Sequence, residues 1–91
     1  HNPLGPVSAA ACVNLCMAAT NVGVQEMPRR PGSFGTDLFP MQIEWEDGYA
    51  FNPGRPGLGV DFDEEVAKAN HVDPTSFPPR LFRNDGAFTN W

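Results

Sequence analysis

Two side chains in this sequence have the types and the spacing for proton chemistry on a weak carbon acid: His1 and Glu26. An imidazole exchanges a proton near neutral pH, and a carboxyl group can stay charged or be held protonated as a donor, depending on its surroundings. Together they suit proton abstraction next to a carbonyl or carboxylate. Between them lie a Pro/Gly turn, an Ala-rich stretch and a short apolar run, close to the ~30 residues of one unit in an eight-unit β/α barrel. If His1 ends one parallel strand and Glu26 ends the next, a right-handed crossover puts both on the same rim of the sheet. Taken alone, a histidine at a chain end is more often a frayed terminus, and a glutamate after a strand more often a solvated loop residue.

The other polar candidates have structural readings. Asp61, Asp63, Glu64 and Glu65 lack the glycine and distal glutamate of a calcium loop, and carboxylates at this spacing suit the start of a helix, with Lys68 four residues after Glu64. Cys12 and Cys16 share a helical face without a further ligand pair, so they read as small buried groups rather than a zinc site. His71 has no neighbouring ligands. Arg29 and Arg30 could contact an anionic substrate if their loop closes over a site, although solvated loop charges are commoner.

These residues depend on the elements that carry them. Pro6 suits the first position of a helix, where a missing N–H costs nothing, and a helix is expected over 6–19. Residues 22–26, Val-Gly-Val-Gln-Glu, read as a short buried strand. An irregular loop spans 27–36, long enough to suggest function or a lid. A hairpin is expected over 39–51, turning at Glu46-Asp47-Gly48, then an extended connector over 52–59. A short helix over 61–69 has Asp61 as its cap, and a second hairpin pairs 80–83 with 87–89.

Composition bounds the whole. The chain has 91 residues with 10 Pro and 9 Gly, about one fifth of its length against a usual ~12%, which excludes a helical bundle. A domain of this size has a thin stability margin, and two cysteines one turn apart make a disulfide framework improbable. The net charge of −5 and a pI near 4.7 make nucleic acid a poor partner. No apolar run reaches the ~20 residues of a membrane span, and the run over 7–19 lacks the basic flank of a signal peptide.

The ordered set of His1-Asn2-Pro3-Leu4-Gly5-Pro6, the Ala-rich helix and Gln25-Glu26 resembles the last β/α unit of the sugar-acid dehydratases in the enolase superfamily, mandelate racemase subgroup. Glu46-Asp47-Gly48-Tyr49, Pro56-Gly57-Leu58-Gly59-Val60-Asp61 and Asp85-Gly86-Ala87-Phe88-Thr89-Asn90-Trp91 resemble the C-terminal stretch shared by galactonate and mannonate dehydratases. The residues after His1 lack the acidic group of the mannonate branch and favour the galactonate one, whereas the tail leans toward mannonate endings. The loop over 28–37 matches neither branch closely.

The resemblance implies an α/β fold: a C-terminal fragment of a (β/α) barrel, with residues 1–27 its last unit and 28–91 an irregular segment, bearing short hairpins, that returns to a capping domain. It implies a hydro-lyase in which His1 is the general base, Glu26 stabilises the enediolate, and both touch the substrate. It implies Mg²⁺ with ligands upstream of His1, a small sugar acid as substrate, the remainder of the polypeptide as partner, and a cytoplasmic homo-oligomer. D-Galactonate is the first substrate expected, with mannonate or gluconate as the alternative. A non-catalytic binding module and an independent loop-rich small protein are the rival readings. A fragment of this kind should expose apolar surface on its helix and following strand, with Leu15, Val22 and Val24 the residues to watch.

Overall fold

A computed structural model describes residues 4–73 and 81–89. Its elements are α1 (Pro6–Ala18), β1 (Glu44–Glu46), β2 (Tyr49–Phe51), α2 (Glu64–Ala69), β3 (Leu81–Phe82) and β4 (Phe88–Thr89). The strands form two separate antiparallel pairs, β1 with β2 and β3 with β4. The fold is thus mixed helix and strand, joined by long irregular stretches.

Helix α1 begins where the sequence places it, with Pro6 in the first turn, and its ladder opens with the Ala9 N–H donating to the Gly5 carbonyl at 3.1 Å. It stops at Ala18, because Ala19 turns to an extended conformation and its N–H closes on the Leu15 and Cys16 carbonyls. Pro6, Ala10 and Val13, spaced four and three apart, are its buried residues. Small side chains there allow close approach, and α1 packs against β2. The core so formed is Ala10, Val13 and Ile43, with Met27, Ala50 and Val60 around it.

The β1–β2 hairpin has the register Glu44↔Phe51, Trp45↔Ala50 and Glu46↔Tyr49. Asp47 and Gly48 both adopt positive φ, 48° and 87°, the paired left-handed geometry of a two-residue type I′ turn. The strand is shorter than expected, since residues 41–43 serve other purposes. The Met41 carbonyl accepts the Asp61 N–H at 3.0 Å, the Leu38 carbonyl accepts the Asp63 N–H at 2.9 Å, and Ile43 enters the core. The second hairpin pairs Leu81 with Thr89 and Phe82 with Phe88, inside the expected segment.

Three expectations are corrected. Helix α2 is capped by Asp63, not Asp61: the Asp63 carboxylate accepts the Glu65 and Val66 N–H groups, both at 3.0 Å. The Asp61 backbone is already drawn toward Met41, which leaves Asp63 at the helix entry. Lys68 pairs with Glu65 rather than Glu64. Residues 22–26 do not form the strand predicted for them; they run as an irregular extended segment. A strand is defined by its neighbour, and among the described residues none pairs with this segment.

The chain exposes 7190 Å², whereas a folded monomer of its mass exposes roughly 5,200 Å². Part of the difference is apolar. Leu15 is 70% exposed, Val22 42% and Val24 91%, the exposure expected of α1 and the segment after it. Among the described residues, Val13 and Ile43 are the large aliphatic side chains buried in the core, each worth about 1.5–3 kcal/mol of burial.

Candidate functional site

Glu26 follows the segment that α1 returns, and the segment is tied back to the helix by Gln25. The Gln25 Oε1 accepts the Cys16 thiol at 3.0 Å while its Nε2 donates to the Glu26 carbonyl at 2.6 Å. Cys16 thus has a positioning contact that the sequence did not reveal. Cys12 and Cys16 are both free thiols and only partly buried, where the sequence reading had them as small buried groups. The Glu26 residue is exposed. His1 lies outside the described residues.

Residues on either side of α1 nonetheless meet. Leu4, Gly5 and Pro6, at the helix entry, and Met27 and Pro28, just after Glu26, line one cavity of about 320 Å³. Turn, helix and returning segment therefore bring the chain before α1 and the chain after Glu26 to the same end of the helix. Arg29, Arg30, Phe34, Gln42 and Ile43 line the same cavity.

Both arginines are exposed loop residues, and each stacks on an aromatic ring. The Arg29 guanidinium carbon sits 4.4 Å from the centre of the Phe34 ring, and that of Arg30 sits 4.4 Å from the Trp45 ring on β1. Such stacking is attractive through the ring quadrupole. The loop carrying them is fixed as well. Ser33 Oγ donates to the Arg30 carbonyl at 2.6 Å, and Gln42 accepts the Gly32 N–H at 3.0 Å while donating to the Phe34 carbonyl at 2.8 Å. The aromatic partners were visible in the sequence, but nothing in their spacing announced the pairing.

A second polar arrangement braces the other side of α1. Asn14 Nδ2 donates to the Ala10 and Leu58 carbonyls, and the Asn52 amide donates to the Asn14 carboxamide oxygen at 3.2 Å. Asn52 Oδ1 accepts the Arg55 N–H at 2.9 Å. The Arg55 guanidinium then reaches the Gln42 carbonyl at 2.7 Å and the Glu44 carboxylate. Each polar group has a protein partner, which is how half-buried groups in a connector avoid an unmet desolvation cost. This is a brace rather than a reaction centre.

The remaining candidates separate. Asp63 caps α2, Glu65 pairs with Lys68, and His71 lies on the surface beside α2. Among the described residues, no group of three or more His, Cys, Asp or Glu side chains is placed to hold a metal ion. The donor set for a Mg²⁺ ion is therefore not found there. Among those residues no helix is long and apolar enough to cross a membrane.

Comparison with known proteins gives a consistent answer. The family model described as enolase C-terminal domain-like matches residues 1–66. A D-mannonate dehydratase of Caulobacter vibrioides is 38% identical over 89 residues, covering 97% of this chain and 21% of the relative. A D-galactonate dehydratase family member of Marinomonas is 39% identical over 90 residues, with the same coverages of 97% and 21%. A D-galactonate dehydratase of Xanthomonas euvesicatoria is 31% identical over 98 aligned positions, covering 100% of this chain and 26% of the relative. The chain thus spans about a fifth to a quarter of the length of these curated relatives. No solved structure matches it significantly. With the model match extending over most of its length, from the residues before α1 through the start of α2, the chain belongs to the enolase C-terminal domain-like family.

Proposed function

We propose that this chain is the C-terminal part of a Mg²⁺-dependent sugar-acid dehydratase, a hydro-lyase that removes the proton alpha to a carboxylate and expels the neighbouring hydroxyl as water. The observation that carries the reading is the shared cavity at one end of α1, walled by Leu4, Gly5 and Pro6 and by Met27 and Pro28. It supports a rim at which His1 and Glu26 act on one substrate. The relatives named for galactonate and mannonate dehydration give the substrate class.

In this reading His1 takes the C2 proton, and Glu26 stabilises the enediolate through its carboxyl group. An imidazole is too weak a base for such a carbon acid unless charge developing on the carboxylate is met by nearby donors. The Mg²⁺ implied by the family would be held by residues upstream of His1 and would neutralise charge on the substrate carboxylate. The C3 hydroxyl leaves as water, helped by an upstream acid, and the enol tautomerises to a 2-keto-3-deoxy acid. The electron pair of the C2–H bond forms the double bond as the C3–O bond breaks, so no oxidant is needed.

The barrel-fragment architecture, with residues 28–91 returning to a capping domain, belongs to the same proposal, as do cytoplasmic location and homo-oligomeric assembly. D-Galactonate is the first substrate to try, with D-mannonate and D-gluconate beside it, because relatives named for the first two are similar to this chain. The test is an aldonate panel presented to the complete polypeptide in deuterated water. Turnover to a 2-keto-3-deoxy acid is expected, and His1→Asn should abolish C2 proton exchange. Unaltered exchange in that variant would remove His1 as the base.

A further inference from the structure

The chain carries a net charge of −5, yet two adjacent arginines, Arg29 and Arg30, line one cavity. Among the described residues neither is paired with a carboxylate. Glu44, next to Trp45, is engaged by Arg55 instead. A guanidinium stacked on a ring uses its face and leaves its in-plane N–H groups available, which is the geometry for two parallel hydrogen bonds to a carboxylate or phosphate. The aromatic partners also hold the forks in place before any ligand arrives, and the Ser33 and Gln42 contacts fix the backbone beneath them. Ordering cost is thereby met in advance.

The rest of the cavity is largely apolar, lined by Leu4, Pro6, Met27 and Ile43 among others. A few placed polar groups in an apolar pocket give orientation and selectivity. The arginines are carried by the irregular loop over 28–37. It begins one residue beyond Met27, directly after Glu26 in the chain.

From this we infer that Arg29 and Arg30 read a second anionic group at the far end of the substrate, so that the preferred ligand is an acid sugar anionic at both ends. The inference rests on the dehydratase reading for the identity of the near end. The shared chemistry of the far end is an oxyanion, which a second carboxylate or a terminal phosphate would each supply.

The experiment measures equilibrium binding and turnover of three probes by the complete polypeptide: a hexonate, the corresponding hexarate, and the 6-phosphohexonate. One bidentate charged contact is worth about 1.5–3 kcal/mol, so at least about tenfold tighter binding is expected for a dianionic probe than for the hexonate. The arm that gains identifies carboxylate or phosphate. The double variant Arg29→Gln/Arg30→Gln should bring the ratio close to one. Trp45→Leu, which removes the platform but keeps the charge, should lower the ratio in part. Equal binding of all three probes, or a ratio that the double variant leaves unchanged, overturns the inference. Tight, arginine-dependent binding of a dianion without C2 proton exchange on any probe would uphold the anion site and remove the dehydratase reading.

Discussion

A Cβ atom placed on Gly59 would lie 2.8 Å from the Asn52 carboxamide, closer than side chains in contact ever approach. The same glycine has a φ of 73°, which an L residue adopts at a cost. Asn52 cannot retreat cheaply, because it bonds both Asn14 and Arg55. Gly59→Ala should therefore destabilise the complete protein by about 2–4 kcal/mol, the sum of backbone strain and a displaced hydrogen-bonded side chain. Gly57→Ala, with a φ of 62° but open space around it, should cost only about 1 kcal/mol. Denaturant midpoints of the two variants check the difference.

Helix α2 offers a comparison of two aspartates. Asp63→Ala removes an acceptor from two N–H groups and should cost about 1 kcal/mol, read as faster hydrogen exchange at the Glu65 and Val66 amides. Asp61→Ala should leave those amides unchanged, because its contribution is the backbone N–H bonded to Met41. Equal acceleration in both variants would contradict the capping assignment.

The exposed face of α1 predicts behaviour in isolation. Expressed alone, the 91-residue chain should associate through Leu15, Val22 and Val24, and Leu15→Lys with Val24→Lys should shift it toward monomer in sedimentation. In the complete protein the same changes should be destabilising, since a charge would enter a covered surface. Val13→Ala, by contrast, should cost about 2 kcal/mol in the complete protein through loss of packing in the core.

Glu26 gives a kinetic prediction that depends on the dehydratase reading. Glu26→Gln should lower kcat by about 100-fold or more while changing substrate binding far less, the pattern of a group that acts on charge formed in the transition state. A rise in KM with kcat unaltered would make it a binding residue only.

What the sequence made legible follows from how local each signal is. Pro6 announced the start of α1, and the Glu46-Asp47-Gly48 run announced a hairpin turn, of which Glu46 proves to belong to the strand, since each is a statement about the backbone of a few consecutive residues. The cap of α2 was misplaced by two positions because Asp61 and Asp63 are chemically equivalent and only the contacts to Met41 and Leu38 distinguish them. The segment over 22–26 has strand composition, but pairing is a property of its neighbours. The Asn14–Asn52 and Asn14–Leu58 contacts join positions 38 and 44 residues apart, where no period or motif could show them. At the site, the family resemblance pointed to His1 and Glu26, while the stacking of Arg29 and Arg30 depends on where Phe34 and Trp45 come to rest.

The bridge from Asn14 to Asn52 also bears on how this piece of protein can be altered. Helix α1 and the connector after β2 are joined by groups that satisfy one another, so a chimera cut between them would strand a half-buried amide on each side. Asn14, Asn52 and Gly59 must travel as one inherited block. The loop bearing the arginines is attached differently, slung mainly from the single side chain of Gln42. Provided that glutamine stays, the loop can be exchanged between relatives as a cassette, and recognition can change while the brace beneath it is left alone.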